Sequence, residues 1–281
     1  MEFKQEYSDK INKIDEYIST YFDGLCGVES DLLAAMRYSV LNGGKRLRSI
    51  LCTEMCTLNG GDANDAMPYA AAIEFIHAYS LVHDDLPCMD NADMRRGMPS
   101  CHKKFGQAQA VLTGDALLNL AFELMSAQCV DAAPTKVKAM YTVARCSGIF
   151  GMVNGQAIDL KLPHQSEITE TELTALIEQK TMALIRASII SGAVLAGCTE
   201  EKLDRLNEYA YHLGLAFQIR DDFEDEAEDV ADKNDCPNFI NVLGRDEAER
   251  KLKYHAESAR RIIAAYGENS FPCRFHDYLF G

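Results

Sequence analysis

Positive charge is scarce in this sequence: 28 lysines and arginines stand against 43 aspartates and glutamates, for a net charge of −15. That balance excludes a nucleic-acid or anionic-membrane surface as the main partner, while leaving room for small anionic ligands. Proline is rare too, with seven in 281 residues. Gly/Ser-rich linkers, internal repeats and low-complexity tracts are missing, and strand-like alternation is scarce. The ten cysteines include no CxxC pair and no regular framework, which predicts reduced, intracellular thiols. No run reaches about 18 uninterrupted apolar residues, and MEFKQEYSDKINKIDEYISTYF lacks the apolar segment of a signal peptide. These absences predict a cytoplasmic protein with no transmembrane segment and no nucleic-acid partner.

What is abundant is helical periodicity. Apolar residues recur at three-and-four spacing in DLLAAMRYSVL, YAAAIEFIHAYSLV, AVLTGDALLNLAFELM and ELTALIEQKTMALIRASIISGAVLAG. With 47% hydrophobic residues, this patterning predicts a single all-α domain over residues 1–281. Cys52 and Cys56, four apart in such a run, read as core packing rather than metal ligation. Two stretches break the pattern, LPCMDNADMRRGMPSCHKKFG at 86–106 and AEDVADKNDCPNF at 227–239, and each follows a cluster of aspartates. A loop of the first kind inside a compact domain is usually functional or disordered.

The first cluster is DDLPCMD, with Asp84, Asp85 and Asp90. Pro87 disfavours helix in the residue before it, so the helix arriving through SLVHDD should end at about Leu86. Asp84 and Asp85 then sit at the negative pole of a helix, where carboxylates are locally unfavourable. A local rule broken in this way points to a site. The second cluster is DDFED, with Asp221, Asp222 and Asp225; Gln218, three and four residues before the pair, shares their helix face. One acidic cluster at a helix end is usually solvated surface, but two in the same context argue for a shared purpose. Hard oxygen ligands suit Mg²⁺, which binds through a few carboxylates plus substrate phosphates. At 4 Å and an effective dielectric of about 20, each close pair of like charges costs roughly 4 kcal/mol, so clustered carboxylates call for cations. The same cations attract a diphosphate.

Cationic side chains fit that picture. LNGGKRLRS places Lys45, Arg46 and Arg48 after a Gly-Gly turn at a helix start, where backbone N–H groups and the dipole also favour anions. The turn is not a P-loop, because GxxxxGK[ST] is not met. Arg95 and Arg96 follow the first cluster and offer bidentate grips on phosphate. His77 lies seven residues before Asp84 on the same face, and Lys180 falls on the apolar stripe of its helix, where a lysine must snorkel, pair or meet an anion. Two other patterns fail. Glu74 and His77 form one ExxH where a di-iron bundle needs two, and His83-Asp84 as a phosphohydrolase core leaves the second cluster, Lys180 and the basic turn unexplained.

Taken together, these residues resemble the trans-isoprenyl diphosphate synthases, polyprenyl synthetases of the bacterial farnesyl/geranylgeranyl type. DDLPCMD resembles the family's first aspartate-rich motif with its two-residue insertion. LLAAMRYSVLNGGKRLRSILC, GQAIDL at 155–160, EQKTMAL at 178–184 and FQIRDDFED match the family in order, and the likeness reaches more weakly to FHDYLFG. The resemblance implies an isoprenoid synthase helical bundle around a central cavity, a homodimer, and head-to-tail condensation of isopentenyl diphosphate with dimethylallyl and geranyl diphosphates to farnesyl diphosphate. It implies Mg²⁺, three per active site, with Mn²⁺ as a substitute, held by Asp84, Asp85, Asp90, Asp221, Asp222 and Asp225. Arg95, Lys180 and Lys233 would support the leaving diphosphate. Lys45, Arg48, His77 and Arg96 would bind isopentenyl diphosphate, and Thr181 and Gln218 would offer oxygen dipoles to the allylic cation and its diphosphate. Tyr79, with Ser80 beside it, lies one turn and more before Asp84, where an aromatic is associated with stopping at C15.

The sequence departs from the family at three places. The loop after Asp225 is short and KNDCP is only a partial motif, Ser49 stands where proline is common, and Ala92 where an acidic residue is common. The alternatives are a geranylgeranyl diphosphate synthase, a terpene cyclase or head-to-head prenyl synthase, and an inactive regulatory subunit. A second DDxxD and GGKRLR favour chain elongation over the cyclase, and intact aspartates weigh against the inactive subunit.

Overall fold

The computed structural model describes residues 2–130, 133–161, 168–227 and 237–281. Among them every element is a helix apart from one two-stranded ribbon, as the periodicity predicts. The chain divides into two compact units, Met1–Met140 with Val194–Ala196, and Tyr141–Ala193 with Gly197–Gly281.

The first unit contains α1 (Glu2–Asp23), α2 (Ser30–Leu41), α3 (Leu47–Leu58), α4 (Ala63–Asp84), the ribbon β1 (Met94–Arg95) and β2 (Met98–Pro99), α5 (Cys101–Phe105) and α6 (Gln107–Ala127). Helix α4 starts at Asp62, whose carboxylate accepts the Asn64 N–H at 2.8 Å and satisfies one of the donors that a helix start leaves open. From Tyr69 to Ile76 every side chain of α4 is buried, so this helix has no polar face and serves as the centre of the unit. Phe22 of α1 packs on Phe75 with ring centroids 5.4 Å apart. Cys52 and Cys56 are buried in the core, as their helical context predicts. Helix α6 is long and apolar enough to cross a membrane by composition alone. Its Leu117, Ala121 and Leu124 are buried while Asp115, Asn119 and Glu123 are exposed, which is the pattern of a core helix.

Residues 86–106 are more ordered than an irregular loop. Met94 pairs with Pro99 and Arg95 with Met98 across a two-residue turn. Both turn residues, Arg96 (φ 54°) and Gly97 (φ 76°), take positive φ, the geometry that matches hairpin twist.

The second unit takes the end of α7 (Pro134–Ser147), then α8 (Met152–Asp159), α9 (Glu170–Lys180), most of α10 (Met182–Leu195), α11 (Glu200–Ala227), α12 (Phe239–Leu243), α13 (Arg245–Ile263), a 3₁₀ turn at Ala264–Tyr266, and α14 (Phe271–Phe280). Leu173, Leu176, Ile177, Met182, Leu215, Ile219, Phe239 and Ala248 form a shared core. The run from 172 to 197, read from sequence as one helix, is broken at Thr181 without proline or glycine. The reason lies in α8. A Cβ on Gly155 would stand 2.3 Å from the Lys180 backbone nitrogen, so glycine admits the Gln179–Lys180 backbone at the break.

Between α11 and α13, His212 and His255 face each other, Nδ1 to Nδ1, at 2.8 Å. Burial lowers both pKa values, that of His255 to about 4 with the His212 ring as the next cause. Unfolded imidazoles bind protons near pH 6.5, whereas the folded pair resists protonation. Its contribution to stability is therefore complete above that pH and is lost as pH falls toward about 4. The melting temperature is expected to fall across this window, and less steeply in His255→Gln, whose amide still reaches His212. Equal slopes in the two proteins would assign the loss to other groups.

Candidate active site

Helix α4 ends at Asp84 with Asp85 as its cap, within two residues of the end that Pro87 predicts. The freed carbonyls are taken at once: the Leu86 N–H donates to His83 O at 3.2 Å, and the Asp90 N–H to Asp84 O at 2.8 Å. The second bond folds DDLPCMD back on itself and sets Asp90 beside Asp84. Asp90 is exposed, Asp84 half-buried and Asp85 buried. Asp85 accepts from Arg95 Nη2 at 2.5 Å and Nε at 3.1 Å. Arg95, expected on a phosphate, is thus an ion-pair partner of an expected metal ligand, and the pair fixes the ribbon against the end of α4. Five residues upstream of Asp84, Tyr79 is 7% exposed, its ring edge-on to His83 at 5.9 Å. Burial first, then the Asp84 charge, raises the Tyr79 phenol to about 12. Ser80 Oγ donates to His77 O at 3.0 Å.

The cationic turn lies against the ribbon. Arg96 Nη1 donates to Gly43 O at 2.7 Å, and a Cβ on Gly44 would lie 3.0 Å from the same nitrogen, so the glycine gives the guanidinium its place. Arg48 sits in the first turn of α3. His77 is held well below the ordinary histidine pKa by burial first, then by Arg48, Arg96, Arg46 and Arg95. It is therefore neutral, and the Arg48 and Arg96 charges both act on it. Lys45 is exposed. Arg46 differs from a solvated member of the basic turn: it is buried, with Nε donating to Asp15 at 2.7 Å, Nη2 to Val40 O at 2.7 Å and Nη1 to Glu74 at 3.3 Å. Glu74, one half of the failed ExxH, belongs to this network, which spacing along the chain cannot reveal.

In the second unit the other aspartates line the end of α11. Asp222 is buried and accepts from Gln218 Nε2 at 3.0 Å and from the Phe239 N–H at 2.8 Å, so it ties α11 to the start of α12. Asp221 is 3.3 Å from Arg220. Lys180 ends α9 rather than lying mid-helix, and its ammonium pairs with Asp159 of GQAIDL, a partner the motif contains but periodicity does not mark. Thr181 caps α9, its N–H on Ile177 O at 3.0 Å. Lys233 lies outside the described residues.

Among the described residues, no three His, Cys, Asp or Glu side chains group to hold a metal unaided. The donors nonetheless suit Mg²⁺, which keeps water and takes phosphate oxygens to complete its shell. Asp222 carries the electrostatic argument. Burial first, with the Asp221 and Asp225 charges adding to it, pushes its carboxyl up to about 6 against the bonds from Gln218 and Phe239. A cation among these carboxylates relieves that repulsion.

Comparison with known proteins places the chain in a family. The sequence profile described as "Polyprenyl synthetase" matches residues 29–251. The chain is 36% identical to the farnesyl diphosphate synthase of Bacillus subtilis over 91% of its own length and 90% of the relative's. It is 44% identical to the putative chloroplastic geranylgeranyl pyrophosphate synthase 8 of Arabidopsis thaliana, over 82% of this chain and 71% of that one. The solved apo structure of an FPP/GFPP synthase from Zymomonas mobilis superposes with a TM-score of 0.91 at 35% identity, covering 99% of each chain. The chain belongs to the polyprenyl synthetase family and is a trans-prenyl diphosphate synthase.

Proposed function

We propose that this synthase is a Mg²⁺-dependent farnesyl diphosphate synthase, adding isopentenyl diphosphate to dimethylallyl and then geranyl diphosphate. The observation that carries the product assignment is Tyr79, a buried phenol five residues before Asp84 on α4. Mg²⁺, held by Asp84, Asp85, Asp90, Asp221, Asp222 and Asp225, supplies charge stabilisation for the departing pyrophosphate. Arg95 and Lys180, with Lys233, support that leaving group. Each of the first two is paired with a carboxylate in the ligand-free protein, so a diphosphate competes with Asp85 and Asp159 for them. Lys45, Arg48, Arg96 and neutral His77 bind isopentenyl diphosphate. Its double bond attacks the allylic carbocation, and a proton then passes to pyrophosphate. Thr181 and Gln218 offer oxygen dipoles to the cation, and exclusion of water protects it.

In this reading two copies act as a homodimer in the cytoplasm. Val111 and Leu112, exposed on the apolar helix α6, and the free thiols of the described cysteines support it. A second reading, a geranylgeranyl diphosphate synthase, is favoured by the 44% identity to the Arabidopsis relative. Incubation with Mg²⁺, isopentenyl diphosphate and each allylic starter, followed by chromatography of the products, decides. The expected outcome is C15 from both dimethylallyl and geranyl diphosphate, and mainly C20 would replace the first reading with the second.

A further inference from the structure

The family match begins at residue 29, and α1 lies before it. No step of the proposed reaction uses this helix. Yet three of its side chains reach the basic turn and α3: the Tyr7 hydroxyl donates to Lys45 O at 2.6 Å, Asp15 accepts from Arg46 Nε at 2.7 Å, and the Lys10 ammonium meets Glu54 at 2.6 Å. They flank the buried stripe of Ile14, Ile18 and Phe22 that seats α1 in its unit.

The turn they grip does not hold its shape by itself. Gly43 (φ 74°), Gly44 (φ 127°) and Arg46 (φ 45°) all take positive φ. A left-handed arginine is strained and persists only where its surroundings enforce it. Here they do. Arg46 is buried and held from three helices, by Asp15 of α1, Val40 O of α2 and Glu74 of α4. Glu74 is braced in turn by Ser49, whose hydroxyl lies 2.9 Å from its carboxylate and 2.7 Å from Ala70 O. With Arg46 fixed as the cap of α3, Arg48 is placed in the first turn beside His77, and Lys45 stands just outside.

We propose that α1 is a positioning element for the isopentenyl diphosphate site: Tyr7, through the Lys45 carbonyl, and Asp15, through Arg46, hold the Gly43–Arg48 turn in the conformation that presents Lys45 and Arg48 to a diphosphate. The inference rests on the assignment of Lys45 and Arg48 to that substrate. Tyr7 and Asp15 act through the turn and touch no substrate. Losing either contact leaves part of the ordering to be done when substrate binds, which weakens affinity without altering the chemistry that follows.

The test is steady-state kinetics with each substrate varied in turn, on Tyr7→Phe, Asp15→Asn and Asp15→Glu, with Arg48→Ala as the reference for the site itself. Tyr7→Phe and Asp15→Asn are expected to raise KM for isopentenyl diphosphate about five- to tenfold, the scale of one hydrogen bond or ion pair, with kcat and KM for geranyl diphosphate within about twofold of the parent. Asp15→Glu, which keeps the charge on Arg46, is expected to recover most of the loss. A purely structural contact would lower the melting temperature without this split between substrates. If Arg48→Ala raises KM for isopentenyl diphosphate while either Tyr7→Phe or Asp15→Asn does not, or if both KM values rise in parallel, the inference fails and the site assignment stands. If Arg48→Ala itself leaves that KM unchanged, the assignment fails and takes the inference with it.

Discussion

Asp84→Ala or Asp221→Ala is expected to lower turnover by on the order of a thousandfold with little change in melting temperature. The two measurements part because these carboxylates do little for the fold. Asp84 closes α4 at the negative pole of the helix, where removing a charge relieves repulsion. Asp221 is partly exposed, and its pairing with Arg220 at 3.3 Å is of the surface kind that contributes about 1 kcal/mol or less. Their proposed work is in the transition state, where they hold Mg²⁺ against charge growing on the leaving pyrophosphate, so the loss falls on turnover rather than on folding. Chelation of the metal is expected to abolish product formation in the parent protein, and added Mg²⁺ to restore it. Near-parent turnover in either variant would mean that its cluster is not a metal site.

Asp84 and Asp221 could be chosen before any coordinates because their signal is local. An acidic cluster at the end of an apolar helix breaks the dipole preference, and that conflict is visible in a string of letters. Helix existence is local in the same sense: three-and-four spacing and one proline placed the end of α4 within two residues. The ribbon has no such signal, because two-residue strands are too short to show alternation. Its turn was nonetheless written in Arg96-Gly97, where glycine permits the second positive φ. The break at Thr181 had no such marker. It arises from Gly155 on another helix meeting the Lys180 backbone, a contact that no window along the chain contains.

The same division runs through the site. Residue identity showed which groups carry the right chemistry, and packing decides what each one does without ligand. Arg95 and Arg96 are adjacent in sequence, yet one is forked onto Asp85 and the other donates through Nη1 to Gly43 O. Arg46 and Arg48 are two apart, yet Arg46 is a buried brace and Arg48 a neighbour of His77. The partners responsible, Asp15, Val40 and Glu74, lie between 6 and 31 positions away. Ser49, which departs from the proline common in the family, is absorbed into that brace through its hydroxyl.

Tyr79→Ala is expected to shift the product from C15 to C20 and longer. Distance along the helix carries the argument: five residues at 1.5 Å each put Tyr79 roughly 7.5 Å up the axis from Asp84, with Ser80, four residues before it, on the Asp84 face. A chain anchored by its diphosphate at Asp84 and running back along α4 reaches that level, where the proposed floor is the phenol. The ring is well fixed for such a role, being 7% exposed and edge-on to His83 at 5.9 Å. Burial also makes the substitution costly, by about 3–5 kcal/mol for a large aromatic cut to alanine, so lower stability alone does not separate a floor from ordinary packing. Product length does. A floor predicts C20 and above from Tyr79→Ala at a temperature where the variant is folded, and Tyr79→Phe, which keeps the ring, should still stop at C15. Unchanged C15 from Tyr79→Ala would make the residue packing only, and mainly C20 from the parent enzyme would show that the tail already passes the phenol.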